Sequence, residues 1–119
     1  MSAEVIDRFM KTSGAGEIEA AVDCFADDGQ WITPDGDGIG TPHAKDQIGG
    51  LITSLNAMRE KMIATGVDAT FEPPVMFGED LGLVRWAIRT DGGKVVNRGV
   101  DLFVLSDGKI VLKDVYRKL

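Results

Sequence analysis

The chain is poor in the residue types that most often carry chemistry. One cysteine, one histidine and one tyrosine are spread over 119 residues. The lone Cys24 excludes an internal disulfide and an all-cysteine metal site. No pair of ligands has the spacing of a zinc site. No apolar run approaches the roughly 20 residues of a membrane span. The opening Met1-Ser2-Ala3-Glu4 has neither the basic nor the apolar segment of a signal peptide. Basic residues are in the minority, 13 against 19 acidic ones, for a net charge of −6. That balance argues against nucleic acid and against anionic membranes as partners. Together these absences predict a cytoplasmic protein.

What is present is core-forming material. Hydrophobic residues make up 44% of the chain, and the length suffices for one core but not two, so residues 1–119 read as a single domain. Val5, Ile6, Phe9 and Met10 recur at helical spacing and predict a helix from about Ala3 to Ser13. Ile18, Ala21, Val22 and Phe25 predict a second, ending near Asp27-Asp28-Gly29. Gln30 to Thr33 reads as a short strand. Thr41-Pro42 reads as an N-cap with proline at N1. It opens a long helix with Ile48, Leu51, Ile52, Leu55, Met58, Met62 and Ile63 on one stripe, which Gly66 ends. Four extended segments follow: Val67–Phe77, Leu81–Thr90, Lys94–Leu105 and Lys109–Arg117. Turns at Asp91-Gly92-Gly93 and Ser106-Asp107-Gly108 join the last three. The order ααβαββββ, helices first and hairpins later, predicts an α+β fold. Its curved antiparallel sheet wraps around the long helix, with a cavity left at one end.

One residue breaks the apolar pattern. In Gly99-Val100-Asp101-Leu102-Phe103-Val104-Leu105 the only charge is Asp101. Period-2 alternation places it with Phe103 and Leu105, opposite Val100, Leu102 and Val104. An ionised carboxylate between two apolar faces is costly unless partnered, so burial favours a neutral acid able to donate a proton or a hydrogen bond. The alternative is an ion pair with Arg85, Arg89 or Arg98 from neighbouring strands. The apolar second face (Val96, Val100, Leu102, Val104) predicts a homodimer through the sheet.

Cys24-Phe25-Ala26-Asp27-Asp28-Gly29-Gln30-Trp31, and the run from Gly99 through Ser106-Asp107-Gly108-Lys109-Ile110-Val111, resemble the nuclear transport factor 2-like superfamily. That group includes ketosteroid isomerases, SnoaL-type polyketide cyclases and limonene epoxide hydrolases. The resemblance covers nearly the whole chain and implies a cystatin-like cone. Ketosteroid isomerases use an Asp base with an oxyanion hole of a Tyr and a protonated Asp. On that comparison Asp101 matches the protonated aspartate. Phe9 stands at the tyrosine position and Thr33 at the base position, and neither can do the family residue's work. The cyclases and epoxide hydrolases keep an acid on the last strand. Asp114 occupies that region one residue early, so a bulge would be needed to bring it to the inner face.

The candidate site is therefore Asp101 and Asp114 as acid–base residues. Phe9, Trp31, Thr33, Met58, Met62, Trp86, Phe103 and Tyr116 are expected to line a pocket for a small hydrophobic molecule. Asp114 could equally be a surface carboxylate beside Lys113 and Arg117. His43, placed in the first turn of the long helix, reads as a solvated bystander. The loop Asp35-Gly36-Asp37-Gly38-Ile39-Gly40 partly resembles a calcium loop, but Ile39 spoils it, and no metal or cofactor is assigned. The function expected is a cofactor-free isomerase, cyclase or hydrolase. The alternative is a non-catalytic binder or a dimeric association module.

Overall fold

A computed structural model describes residues 3–35 and 38–118. These form helices α1 (Ala3–Gly14), α2 (Ile18–Asp23) and α3 (Lys45–Ala64). The strands are β1 (Phe25–Thr33), β2 (Thr41–Ala44), β3 (Val67–Phe71), β4 (Val75–Met76), β5 (Leu81–Thr90), β6 (Val95–Ser106) and β7 (Lys109–Lys118). The sheet runs β2-β1-β7-β6-β5-β3, with β4 pairing β5 at one end. The α+β cone with a long helix on its concave face is as expected, but the sheet is mixed. β1 runs parallel to β7, and all other pairings are antiparallel.

Three local readings give way to tertiary pairing. β1 begins at Phe25, inside the stretch read as helix, because Phe25 pairs with Ile110 and the Ile110 N–H donates to the Cys24 carbonyl at 2.8 Å. Thr41-Pro42 is not a helix start but lies in an edge strand opposite Ile32 and Thr33. Proline is tolerated at a sheet edge because no ladder partner there needs its N–H. α3 starts at Lys45 instead, where the Gln47 side chain accepts from the Ala44 N–H at 2.9 Å. The segment 67–77 splits into β3 and β4 around Pro73-Pro74.

The core is built by one end of α3. Ile48 and Ile52 are fully buried with Ile6, Phe9, Phe25, Phe103 and Ile110. Further along the same stripe burial fades: Leu55 is half-buried and Met58 is 58% exposed. Ile63, expected on the stripe, is also exposed. Burial is thus concentrated in the first half of the helix and fades toward its C-terminal end. Gly66, with φ of +82°, lets the chain turn from α3 straight into β3.

On the concave face Trp86 of β5 lies across Gly99 of β6, its register partner. A Cβ built on Gly99 would come 2.5 Å from the Trp86 ring and 2.1 Å from the Tyr116 carbonyl oxygen. The absence of a side chain there lets the indole lie flat as part of the cavity wall. Gly99→Ala is expected to displace Trp86 and cost roughly 1–3 kcal/mol, the range for overpacking. A lowered urea midpoint with a shifted tryptophan emission checks this. An unchanged midpoint would show that the ring is not held by this contact.

Candidate functional site

The site is set by one extra residue in the last hairpin. Asp107 and Gly108 both have positive φ, 51° and 73°, which makes a two-residue hairpin turn with Ser106 opposite Lys109 and Leu105 opposite Ile110. Counted onward without interruption, that register would bring Asp114 opposite Asp101. The register shifts instead between Leu105 and Val104, whose partner is Leu112, leaving Val111 as the bulged residue. Every side chain beyond it changes face. Lys113 now stands opposite Phe103 on the concave side, and Asp114 stands opposite Leu102 on the convex side.

The consequence is a buried ion pair. Lys113 Nζ lies 3.4 Å from Asp101 Oδ2, and each side chain is only 5% exposed. The partner expected for Asp101 among Arg85, Arg89 and Arg98 is thus replaced by Lys113. The expected solitary acid is corrected with it: a cation stands beside the carboxylate. Three rings surround the ammonium. Its nitrogen sits 3.6 Å from the centroid of the Trp31 ring, 5.7 Å from Phe9 and 5.9 Å from Phe103. Phe9 meets Phe25, Trp31 and Phe103 edge-on, which fixes the cage from the helical side. Burial pushes the Lys113 ammonium below its usual value of 10.5, while the Asp101 charge and hydrogen bond pull it back. The Trp31 indole N–H is buried with no hydrogen-bond partner.

Above this pair opens a cavity of about 990 Å³. Asp101, Phe9, Trp31, Thr33, Met58, Met62 and Trp86 all lie on its lining, together with Lys113 and His43. Three expected residues are placed elsewhere. Asp114 is on the convex face: a bulge was expected to bring it inward, but the one present takes it outward, and it accepts a hydrogen bond from the Tyr116 hydroxyl at 2.9 Å. That bond raises the Tyr116 phenol. Tyr116 is outside the main cavity for the same reason of phase and is 55% exposed. Phe103 is fully buried and walls the ammonium rather than the open space.

A second polar group sits near the mouth. His43 is not in a helix but in β2, opposite Trp31, which in turn stands opposite Lys113. Strand spacing then separates the His43 and Lys113 backbones by roughly 10 Å. His43 Nε2 lies 3.2 Å from Thr33 Oγ1, and the Thr33 hydroxyl donates to the Asp35 carboxylate. A hydroxyl has one proton, so with that proton on Asp35 the imidazole is the donor to Thr33. The Thr33 hydrogen bond holds the Asp35 carboxyl below its ordinary value. Arg59 of α3 donates to Asp68 of β3 at 2.9 Å, tying helix to sheet beside the opening. That bond lowers the Asp68 carboxyl.

Gly36 and Asp37 of the loop considered for calcium lie outside the described residues. Among the described residues no group of three or more His, Cys, Asp or Glu side chains converges on a metal-sized site. Likewise, no helix there is long and apolar enough to cross a membrane. The sequence reading missed Lys113 and His43. The available signal was the Lys113-Asp114 pair flanked by apolar residues in Val111-Leu112-Lys113-Asp114-Val115, where either charge could face inward depending on a bulge.

Comparison with known proteins agrees with this architecture. The chain resembles an NTF2-like protein of unknown function from Mesorhizobium loti at 24% identity, with a TM-score of 0.74 over 99% of this chain and 91% of that one. It resembles a candidate polyketide cyclase from Sinorhizobium meliloti at 16% identity, TM-score 0.69, over 95% and 94% of the two chains. A candidate isomerase of the SnoaL-like family from Agrobacterium tumefaciens strain C58 matches at 14% identity, TM-score 0.68, over 99% and 97%. Among curated proteins no match is found. The model of the SnoaL-like domain matches residues 6–113. That span runs from α1 through the lysine of the cavity floor, and the chain belongs to the SnoaL-like domain family, with the fold of the NTF2-like structures.

Proposed function

We propose that the cone binds a small, largely apolar molecule and acts on it by acid–base chemistry from the Asp101–Lys113 pair, with no added cofactor. The observation that carries this reading is a buried ion pair on the lining of a cavity. As a stabilising device such a pair is poor, since the desolvation of two charges offsets their attraction and hydrocarbon does as well. As a reactive device it is apt. Lys113 can polarise a ligand oxygen, Asp101 can exchange a proton with it, and the apolar walls keep water from competing. His43, Thr33 and Asp35 offer a second proton path at the mouth. Two of the structural relatives are described as a candidate polyketide cyclase and a candidate isomerase. Both descriptions fit a reaction at an enolisable carbonyl.

One observation favours a second reading, a binder without turnover. Phe9 supplies a ring where the isomerases have a tyrosine hydroxyl, so one hydrogen-bond donor is absent from the floor.

The test uses the double variant Asp101→Leu/Lys113→Met. Breaking the pair from one side, as in Lys113→Met, should cost about 3–5 kcal/mol because the carboxylate is left buried and unpaired. Removing both charges should restore most of that loss. Deuterium exchange at the α-carbon of α-tetralone, followed by NMR, should be accelerated by the wild type and not by the folded double variant. Binding of the ketone without exchange in the wild type would establish the binder instead. A double variant as unstable as the single one would show that the pair is a structural requirement.

We further propose that the convex sheet face makes a homodimer. Val100, Leu102, Val104 and Leu112 share that face, half-buried, with Leu81 and Tyr116 exposed beside them. Light scattering at about 10 µM, ample for a dimer of micromolar affinity, should give twice the chain mass of 12.8 kDa. Val100→Asp/Leu102→Asp should return it to the chain mass. A wild type already at the chain mass would remove this assembly.

A further inference from the structure

We propose that Lys113 captures carbonyl compounds covalently, forming an imine with an apolar aldehyde or ketone held in the cone. The inference rests on the reading that the cavity takes a small apolar ligand, and it names the ligand class and the bond. Imine formation needs a lone pair on nitrogen, a group to carry protons to and from the departing oxygen, and an environment that tolerates the iminium. The floor supplies all three. Lys113 is on the cavity lining, and burial in an apolar cage favours its uncharged amine. Asp101 stands 3.4 Å from the nitrogen. The Trp31 face, 3.6 Å from the same nitrogen, suits a delocalised cation as well as it suits the ammonium.

The step balances without another reagent. The ammonium passes one proton to the Asp101 carboxylate, leaving amine and carboxylic acid. The nitrogen lone pair attacks the carbonyl carbon, the C=O π pair moves to oxygen, and the Asp101 proton goes to that oxygen. A second proton moves from nitrogen back to Asp101, which gives the neutral carbinolamine. Asp101 then protonates the hydroxyl, the C–O bond breaks, water leaves, and the nitrogen lone pair closes the C=N bond. The iminium faces the Asp101 carboxylate, so the floor carries no net charge before or after. Loss of a proton from the neighbouring carbon would give an enamine, which connects this capture to exchange at that carbon.

Benzaldehyde is the probe and benzyl alcohol its counterpart without a carbonyl. Wild-type protein is mixed with the aldehyde at neutral pH and reduced with sodium borohydride, and the modified lysine is located by peptide mass mapping. The reduced adduct should accumulate on Lys113 at least about tenfold faster than on any other lysine, because a proton carrier stands beside this nitrogen on the cavity lining. Excess benzyl alcohol should suppress it. Asp101→Asn keeps the amine but removes the proton carrier, and should slow trapping by about tenfold or more. In Asp101→Asn protein shown to be folded by near-UV circular dichroism, a merely structural pairing would not move that rate. Asp101→Leu/Lys113→Met should lose the adduct while its Tm still rises with benzyl alcohol. Adducts spread evenly over the surface lysines, with the alcohol still raising the Tm, would overturn the imine and leave the apolar pocket standing. No response of the wild-type Tm to the alcohol, together with no adduct at Lys113, would overturn both.

Discussion

A positive and a negative charge are held against each other inside hydrocarbon, and the architecture of this protein is arranged to keep them there. Lys113 and Asp101 come from adjacent antiparallel strands, yet they do not face one another in register. Phe103 faces Lys113 and Val115 faces Asp101, so the contact is diagonal. Such diagonal neighbours are within reach only for a long side chain. Lysine has that reach, and its aliphatic stem can stay among apolar neighbours while its nitrogen meets the carboxylate.

The surroundings follow from that contact. A buried ammonium needs more than one favourable neighbour, and Trp31, Phe9 and Phe103 present rings to it. This gives a physical reason for a phenylalanine at position 9. The group facing α1 across the floor is a cation, and a ring face attracts a cation without needing a hydroxyl. The aromatic cage also explains the inner end of α3. Ile48 and Ile52 pack tightly and close the narrow end, so the polar pair is shielded from one side while the cavity opens on the other. Stability is gathered at the tip of the cone and adaptability at its mouth, where Met58 and Met62 supply flexible, polarizable walls.

Much of this was legible from local pattern. Asp101 stood out because a charge interrupting an apolar alternation needs no distant information to be recognised. The hairpins were legible because Asp-Gly and Gly-Gly pairs specify turns locally, and β5 runs over the span its pattern predicts. The early start of β1 and the edge strand at Thr41–Ala44 were hidden, because local helix signals at Phe25 and Thr41-Pro42 competed with ladders to strands far away or not yet formed. Sheet pairing prevailed in both places, as backbone hydrogen bonds to an existing sheet outweigh a single cap or a few tenths of a kcal/mol of propensity.

The amino-acid order alone determined the α+β class, the long helix with its apolar stripe, the closing hairpins and the presence of one acid between two apolar faces. Each of these is written within a window of ten to twenty residues, where periodicity and turn chemistry act. Only the tertiary structure decided which charge answers that acid. Face alternation has a period of two, so a single unpaired residue at Val111 exchanges the fates of Lys113 and Asp114. Whether that residue bulges depends on how β7 fits between β1 and β6 at once, a constraint spread over three strands and absent from any one of them.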